Sequence, residues 1–411
     1  MKQRYNELTE DLIFQAVKDC FAKKWKRNDV SSTVEEYAGI RRQDISREIG
    51  ENKNYLKQQA IINIGYEVEN RLKRLLNGNA NALELDPVVF HNRKDGMNGK
   101  VRKIAYCCIF HQIFNHVAYL GLKPLLNAKI LPSQFASIPK RGQTGLKKFV
   151  TKKLRKKKYN IRHARKTDVK HAYETTKYAK IIAIIRKEIP SARWIILLLE
   201  ELAKMSPEGC LIIGGYLDAW LFNFLMSYVL RHARNQNKLK RGKKTPLIKE
   251  VASFMDDFGF MGSRAADIAK DIKIVNRYLS NAMSLSLKYG KTTDFLSIKE
   301  EKEKRREIKP SRRACPFLDI GGYRMHASHV TIRGAIFIRL RRAYLRANKE
   351  VEQSGSMSIQ RAYKIVAYFG YVKNSDSRGV RKKYNVDMLH SIAKSVVSNY
   401  QRKINKRRLI K

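Results

Sequence analysis

The sequence predicts an α+β protein: a helical N-terminal region, a centre of mixed strands and helices, and a helical C-terminal region. Three observations predict it. Apolar residues recur at helical spacing toward both ends of the chain. The middle reads as strand, helix, hairpin and helix in order, the pattern of a split βαβ unit. Of 411 residues, 43% are hydrophobic, enough for a large core and roughly two to four domains.

The elements follow in chain order. Thr9 is placed to cap a helix with Glu10 and Asp11 in its first turn, and Leu12, Ile13, Ala16, Val17 and Phe21 continue at helical spacing. Asn77 to Asn81, with Gly78 inside, breaks the helical pattern. Asp95-Gly96-Met97-Asn98-Gly99-Lys100 is a turn signal, followed by a basic strand from Lys100 to Tyr106 and an apolar helix through Ile113 and Val117. Residues 139 to 158 are dense in lysine and arginine. A short strand reaches Asp168, a helix covers Trp194 to Met205, and a glycine turn leads into an apolar helix over 209 to 232. Val251 to Phe254 and Phe258 to Met261 form a hairpin around Asp256-Asp257. Ser263 is expected to cap the next helix, whose inner face carries Ile268, Ile272, Val275 and Leu279. Lys299 to Arg313 reads as a charged linker or exposed helix, and a basic, mostly helical region runs on to Lys411.

Charge restricts the function. Lys and Arg total 85 against 37 Asp and Glu, a formal net charge of +48. A surface that basic attracts polyanions, of which nucleic acid is the commonest large one. The density of cations at Lys140, Arg141, Lys152, Lys153, Lys156 and Lys157 suits a face that contacts phosphates. The five cysteines lack metal-ligand spacing and read as reduced thiols. The nine histidines show no metal spacing either. Met1 to Glu10 carries no secretory pattern, so a cytoplasmic location is expected. Cys210 to Leu230 is long and apolar, yet a mid-span Asp218 would cost about 3 kcal/mol in a bilayer; a buried turn and helix is expected there, and no membrane. Gly209 to Gly215 has neither a Walker lysine nor a dinucleotide fingerprint, which argues against P-loop and Rossmann chemistry.

Phe254-Met255-Asp256-Asp257-Phe258 is the most informative segment. Two adjacent carboxylates interrupt what would otherwise be one buried apolar run, where like charges repel and resist desolvation. A hairpin turn relieves part of that cost and a hard divalent cation relieves more. Asp168, after a very basic stretch, is a third carboxylate that would complete a two-metal site if the fold brings it beside Asp256 and Asp257.

Several segments, taken in order, resemble reverse transcriptases. Asp168 to Tyr173 is similar to their first catalytic motif, an Asp with an aromatic five positions on. Phe254 to Phe258 resembles their aromatic-x-Asp-Asp motif, with Phe254 where Tyr is more usual. Gly214-Gly215-Tyr216 leading into Trp220 to Asn223 is similar to the motif that packs under template and incoming nucleotide. Ile320-Gly321-Gly322-Tyr323-Arg324 resembles the primer grip. Gly99 to Ile104 and Ser137 to Gln143 resemble the fingers motifs, and Tyr368 to Ser377 a thumb segment of bacterial members. Two departures stand out. Leu217-Asp218-Ala219-Trp220 replaces the Ser-Gln that follows the motif glycine in many bacterial relatives, and Glu174-Thr175 replaces Pro-Ser in the first motif.

The resemblance implies a right-hand polymerase with a ferredoxin-like palm, divided into an N-terminal helical extension (1–90), fingers (91–165), palm (166–298), and primer grip with helical thumb (299–411). Asp168, Asp256 and Asp257 would be catalytic, holding two Mg²⁺ ions, with Mn²⁺ as an alternative, and Val169 would join them at the metals. Tyr173 would gate the sugar; Arg102, Lys140, Arg141, Gly214 and Gly215 would bind the nucleotide. Lys152, Lys153, Lys156, Lys157, Gly322 and Tyr323 would contact nucleic acid, and Lys288 would be a proton donor to the leaving pyrophosphate. Partners would be an RNA template, a DNA or RNA primer, deoxynucleoside triphosphates and a dedicated structured non-coding RNA, with self-association left open. The resemblance implies a chain closer to the compact bacterial group: defence-associated, abortive-infection and diversity-generating. The rival classes are a diversity-generating enzyme, a template-independent or protein-primed nucleotidyltransferase, and a non-catalytic RNA-binding scaffold that keeps a palm fold.

Overall fold

The computed structural model describes residues 4–47, 54–94, 101–307 and 315–410. The expected Asp95 to Lys100 turn lies outside these residues, as do Gly99 of the fingers motif and the last part of the Lys299 to Arg313 segment. The fold is α+β, as expected. It opens with α1 (Glu10–Phe21), α2 (Asn28–Ala38), α3 (Arg42–Arg47) and α4 (Tyr55–Leu76). The Thr9 hydroxyl caps α1 by accepting from the Leu12 amide at 3.2 Å, and Ile13, Ala16, Val17 and Phe21 are buried as the spacing predicts. A hairpin of β1 (Val89–Lys94) and β2 (Val101–Tyr106) leads into α5 (Ile109–Lys129) and α6 (Gly142–Arg155).

The centre comprises β3 (His163–Val169), a short α7 (Ala172–Thr175), α8 (Tyr178–Glu188), α9 (Arg193–Lys204) and α10 (Tyr216–Arg234). These are followed by a hairpin of β4 (Asn237–Lys240) and β5 (Lys243–Pro246), then β6 (Glu250–Phe254), β7 (Asp257–Gly262), α11 (Ala265–Tyr278) and β8 (Leu287–Asp294). A four-stranded antiparallel sheet forms in the order β6-β7-β3-β8. After it come α12 (Ile298–Glu307) and a small sheet of β9 (Leu318–Ile320), β10 (Tyr323–Met325) and β11 (Val330–Ile332). The chain continues with α13 (Gly334–Ser354), α14 (Ile359–Lys373), α15 (Arg378–Lys383) and α16 (Val386–Ile410).

Strand alternation sorts the central sheet into two faces. Val251, Phe258 and Phe260 join a core with α1, α4, α5 and α8 through α11. Their neighbours Ala252, Met261 and Ala164 join a second core with α6, the small sheet, α13, α14 and α16. The small residues lie where the small sheet approaches closely: a Cβ on Gly259 would stand 3.1 Å from the Leu318 side chain. The N-terminal helices therefore share a core with the centre of the chain. Arg71 of α4 is buried there, donating to Glu67 at 2.6 Å and to the Leu83 carbonyl at 3.0 Å, so its charge is paired.

One expectation changes. Ser263 does not cap α11: its hydroxyl donates to the Asn160 carbonyl at 2.7 Å, and Arg264 occupies the cap position without a side-chain bond. The hydroxyl is spent on a tertiary contact that the sequence does not display. The inner face of α11 is as expected, with Ile268, Ile272, Val275 and Leu279 fully buried. The charge-dense stretch before β3 is the amphipathic α6, with Leu146, Val150 and Leu154 buried and Lys152 exposed. The Cys210 to Leu230 segment becomes a loop and the buried α10, and among the described residues no helix is long and apolar enough to cross a membrane.

Register in the central sheet depends on Gly290. The β3–β8 pairing shifts between Arg165 and Thr167, and a Cβ on Gly290 would fall 2.2 Å from the Lys166 carbonyl oxygen. That atom is backbone and cannot swing away. Gly290→Ala is expected to lower stability by about 2 kcal/mol or more, read as a fall in the urea midpoint; an unchanged midpoint would show that β8 can slide without cost.

Candidate active site

The site begins with the β3–β7 register. Asp168 on β3 lies opposite Asp257 on β7, and the Val169 amide donates to the Asp256 carbonyl at 3.1 Å. β6 and β7 are joined by Met255 and Asp256 alone, with Phe254 opposite Asp257. Met255 adopts φ +58°, a left-handed conformation that costs a non-glycine residue about 1–2 kcal/mol. Such strain persists where surrounding structure over-determines it, and here the strands on either side fix the turn. All three carboxylates line one cleft of about 840 Å³.

Their electrostatics are unfavourable in isolation. Burial pushes the Asp256 carboxyl up to about 7, and a hydrogen bond shared with Asp168 and the charges of Asp257 and Asp168 push the same way. Asp257 is also raised by burial, against the pull of Lys166, whose ammonium lies 2.8 Å away. Lys288, directly across from Asp168 on β8, places its ammonium 3.4 Å from that carboxylate. Two lysines thus stand beside the carboxylates as cationic partners. The donor set is hard oxygen, which suits magnesium or manganese. Val169 lines the cleft with its side chain buried, and its amide is bonded to the Asp256 carbonyl.

The other expected residues divide. Tyr173, Arg102, Gly214, Gly215 and Gly322 line the cleft. Tyr173 stacks on Phe222 with centroids 5.5 Å apart, and burial holds its phenol well above the usual tyrosine range. Lys103, which the sequence did not single out, lines the cleft beside Arg102, and so does Gln143, whose amide donates to the Tyr371 hydroxyl at 3.0 Å. Lys140 is exposed away from the cleft. Arg141 donates to the Leu131 and Gln134 carbonyls at 2.6 and 3.1 Å, so its guanidinium holds its own loop. Tyr323 is 1% exposed, with its ring against Tyr371, which removes its side chain from any nucleic-acid contact. Lys152, Lys156 and Lys157 are exposed, whereas Lys153 is ion-paired to Glu250 at 2.8 Å and lies over the Tyr159 ring.

One cluster was missed altogether. Glu301, His326 and His329 are all buried, with ligand atoms within 4.8 Å of one another. Spacing could not reveal it, because the carboxylate comes from α12 and the imidazoles from the turn between β10 and β11.

A family model described as reverse transcriptase (RNA-dependent DNA polymerase) matches residues 92–334, more than half of the chain. The chain belongs to the reverse transcriptase family. It is accordingly an RNA-directed DNA polymerase, a nucleotidyltransferase whose family folds as fingers, palm and thumb and takes a template, a primer, deoxynucleoside triphosphates and divalent metal ions. No individual curated protein matches the chain.

The departed motif of this reverse transcriptase has a structural role. Asp218 is buried and accepts from the Ile212 amide at 2.9 Å and the Tyr178 hydroxyl at 3.0 Å, bracing the loop that carries Gly214 and Gly215. A Cβ on Gly215 would meet the Asp218 carboxylate at 1.8 Å, and one on Gly214 the Ala105 carbonyl at 2.8 Å. The loop is therefore held between α10 and β2, the Ala105 amide donating to the Ile213 carbonyl at 2.8 Å.

Burial raises the Asp218 carboxyl to about 6. A folded-state pKa above the unfolded value means the native state holds the extra proton. This group's contribution to stability is then full at low pH and fades as pH rises from about 4 to 6. Asp218→Asn keeps an acceptor and cannot ionise, so its melting temperature relative to the parent is expected to rise across that window and level off above it. Asp218→Ala leaves two donors unpaired and is expected to cost about 2–3 kcal/mol at neutral pH. Denaturation of the three proteins at pH 4 and pH 8 checks both; a parent that gains on the Asn variant as pH rises would overturn the account.

Proposed function

We propose that the chain extends a primer by two-metal nucleotidyl transfer with Asp168, Asp256 and Asp257 as ligands and the Val169 main chain beside them, copying RNA in the cytoplasm as part of an anti-phage defence system. The observation that carries the site assignment is the convergence of the three carboxylates at one strand end, with Lys166 and Lys288 already standing where cations belong. Asp168, Asp256 and Asp257 would hold two Mg²⁺ ions, or Mn²⁺, which would supply a lowered pKa for the attacking 3′ hydroxyl and charge compensation for the leaving pyrophosphate. The chain's own residues orient and select. Arg102 and Lys103 draw the triphosphate into the cleft, and Gly214 and Gly215 let the backbone approach the nascent pair. Lys288, exposed at the cleft edge, is the proton donor to pyrophosphate.

On this reading residues 1–90 are an N-terminal extension, 91–165 the fingers, 166–298 the palm and 299–411 the primer grip and thumb. Template and primer run along the exposed Lys152, Lys156 and Lys157 and the Gly321-Gly322 turn, and a structured non-coding RNA occupies further basic surface. The defence assignment rests on the Leu217 to Trp220 departure, which separates the chain from Ser-Gln members. The same departure favours one second reading, untemplated or protein-primed addition; products whose sequence ignores the supplied template would select it.

Asp168→Ala, Asp256→Ala and Asp257→Ala are each expected to reduce nucleotide incorporation by orders of magnitude while leaving RNA binding and the melting transition in place. Near-parental incorporation by any one removes that residue from the centre. Tyr173→Ala is expected to raise the ratio of ribo- to deoxynucleotide incorporation on a fixed template, because the ring no longer obstructs a 2′ hydroxyl. An unchanged ratio would leave Tyr173 as a packing residue on Phe222.

A further inference from the structure

We propose that Glu301, His326 and His329 form a second metal site, separate from the polymerase carboxylates, that takes a zinc-class ion and fastens α12 to the turn of the small sheet. The argument starts from how α12 is attached. The helix is one of the most charged in the chain, and Glu301 is the only buried residue among those described on it. A helix normally docks through an apolar stripe; this one docks through a carboxylate 1% exposed, onto two histidines that are 6% and 9% exposed. Desolvating a carboxylate against imidazole does little better than break even as an ion pair. A metal ion turns the same three groups into ligands.

The donor set is specific. Glu301 Oε1 lies 2.9 Å from His329 Nδ1, and the three residues' ligand atoms all fall within 4.8 Å. His326 Nδ1 faces the Pro316 carbonyl at 3.0 Å, which assigns its proton to that nitrogen; Nε2 then carries the lone pair, which accepts from the Thr331 hydroxyl at 3.2 Å and would exchange that bond for an ion. An imidazole oriented by an N–H bond to a carbonyl is the usual support of a metal-bound histidine. Ser328 donates to Glu301 through its hydroxyl at 2.9 Å and its amide at 3.1 Å, fixing the carboxylate. Arg155 of α6 donates to the Ser328 carbonyl at 3.0 Å, bracing the turn from the other side. Two imidazoles and one carboxylate suit zinc and related borderline ions, and disfavour magnesium, which demands octahedral oxygen. The two rings stack with centroids 4.1 Å apart and 8° between planes. A shared ion lies in the plane of each ligating ring, so binding turns one ring out of the stack.

The test uses the full-length protein, stripped with chelator and returned to excess Mg²⁺ so that the hard-oxygen centre is served. Titration with Zn²⁺ is expected to bind one equivalent per chain at micromolar concentration, unaffected by Mg²⁺, and to raise the melting temperature by several degrees. Co²⁺ in its place is expected to give the visible absorption of a low-coordinate nitrogen–oxygen site. Glu301→Gln and His329→Gln should each lose the equivalent and the thermal gain. No retained zinc and no cobalt spectrum in the parent would overturn the site. A full equivalent retained by both folded variants would do so equally. If the variants do not fold, the parent's cobalt spectrum and its insensitivity to Mg²⁺ decide.

Discussion

Everything at the cleft depends on forcing like charges together at the end of a strand pair. The register that sets Asp168 opposite Asp257 also bonds Val169 to Asp256, so the three carboxylates cannot be separated without unzipping β3 from β7. Burial makes their proximity worse, as the raised Asp256 shows. The sheet resists because its other positions are strongly held: Phe258 and Phe260 anchor one face, and Gly259 and Met261 fit the other against the small sheet. The hairpin accepts a strained Met255 for the same reason. Unfavourable electrostatics are thus concentrated at a few atoms and sustained by apolar packing on both sides.

Two lysines offset part of this cost. Lys166 sits two residues before Asp168 on the same strand, hence on the same face, and reaches Asp257; Lys288 reaches Asp168 from the opposite neighbour strand. Each is a movable charge on a flexible stem. A cation of higher charge density can take over their role without rearranging the backbone, and the freed ammonium groups then face whatever phosphate lies above. On the proposed reading the same two residues offset the charge of the carboxylates and stand beside the anionic substrate.

How much of this was legible follows from where each partner lies in the chain. The Phe254 to Phe258 hairpin was legible because strand alternation and the intrusive Asp pair lie within one segment. The α1 cap and the inner face of α11 were legible for the same reason. Ser263 was not, because its hydroxyl found a partner at Asn160 rather than in its own helix. Arg141 and Lys153 read as surface cations, since nothing local tells an arginine that holds its own loop's carbonyls from one that awaits phosphate. Tyr323 follows Gly321 and Gly322, which line the cleft, and strand alternation turns it inward. Glu301 was invisible because its histidines arrive from a separate element.

Net charge ties these observations together. A formal +48 spread over the chain would oppose compaction if no polyanion were available to balance it. The few acidic groups are not scattered as diluents. Glu250 binds Arg234 at 2.5 Å and Lys153 at 2.8 Å, Glu188 binds Lys129 and Arg4, and Asp257 and Asp168 bind Lys166 and Lys288. Nearly every buried or half-buried carboxylate named here is therefore committed to a specific cation. Asp218 and Asp256 stand apart. The first is satisfied by neutral donors beneath the glycine loop. The second shares its side-chain hydrogen bond with another carboxylate, at the strand end where β3 and β7 meet. In so basic a protein, a carboxyl hydrogen-bonded to another carboxyl marks a point where an external cation is favoured, and it lies in the cleft that Arg102, Lys103 and Tyr173 line.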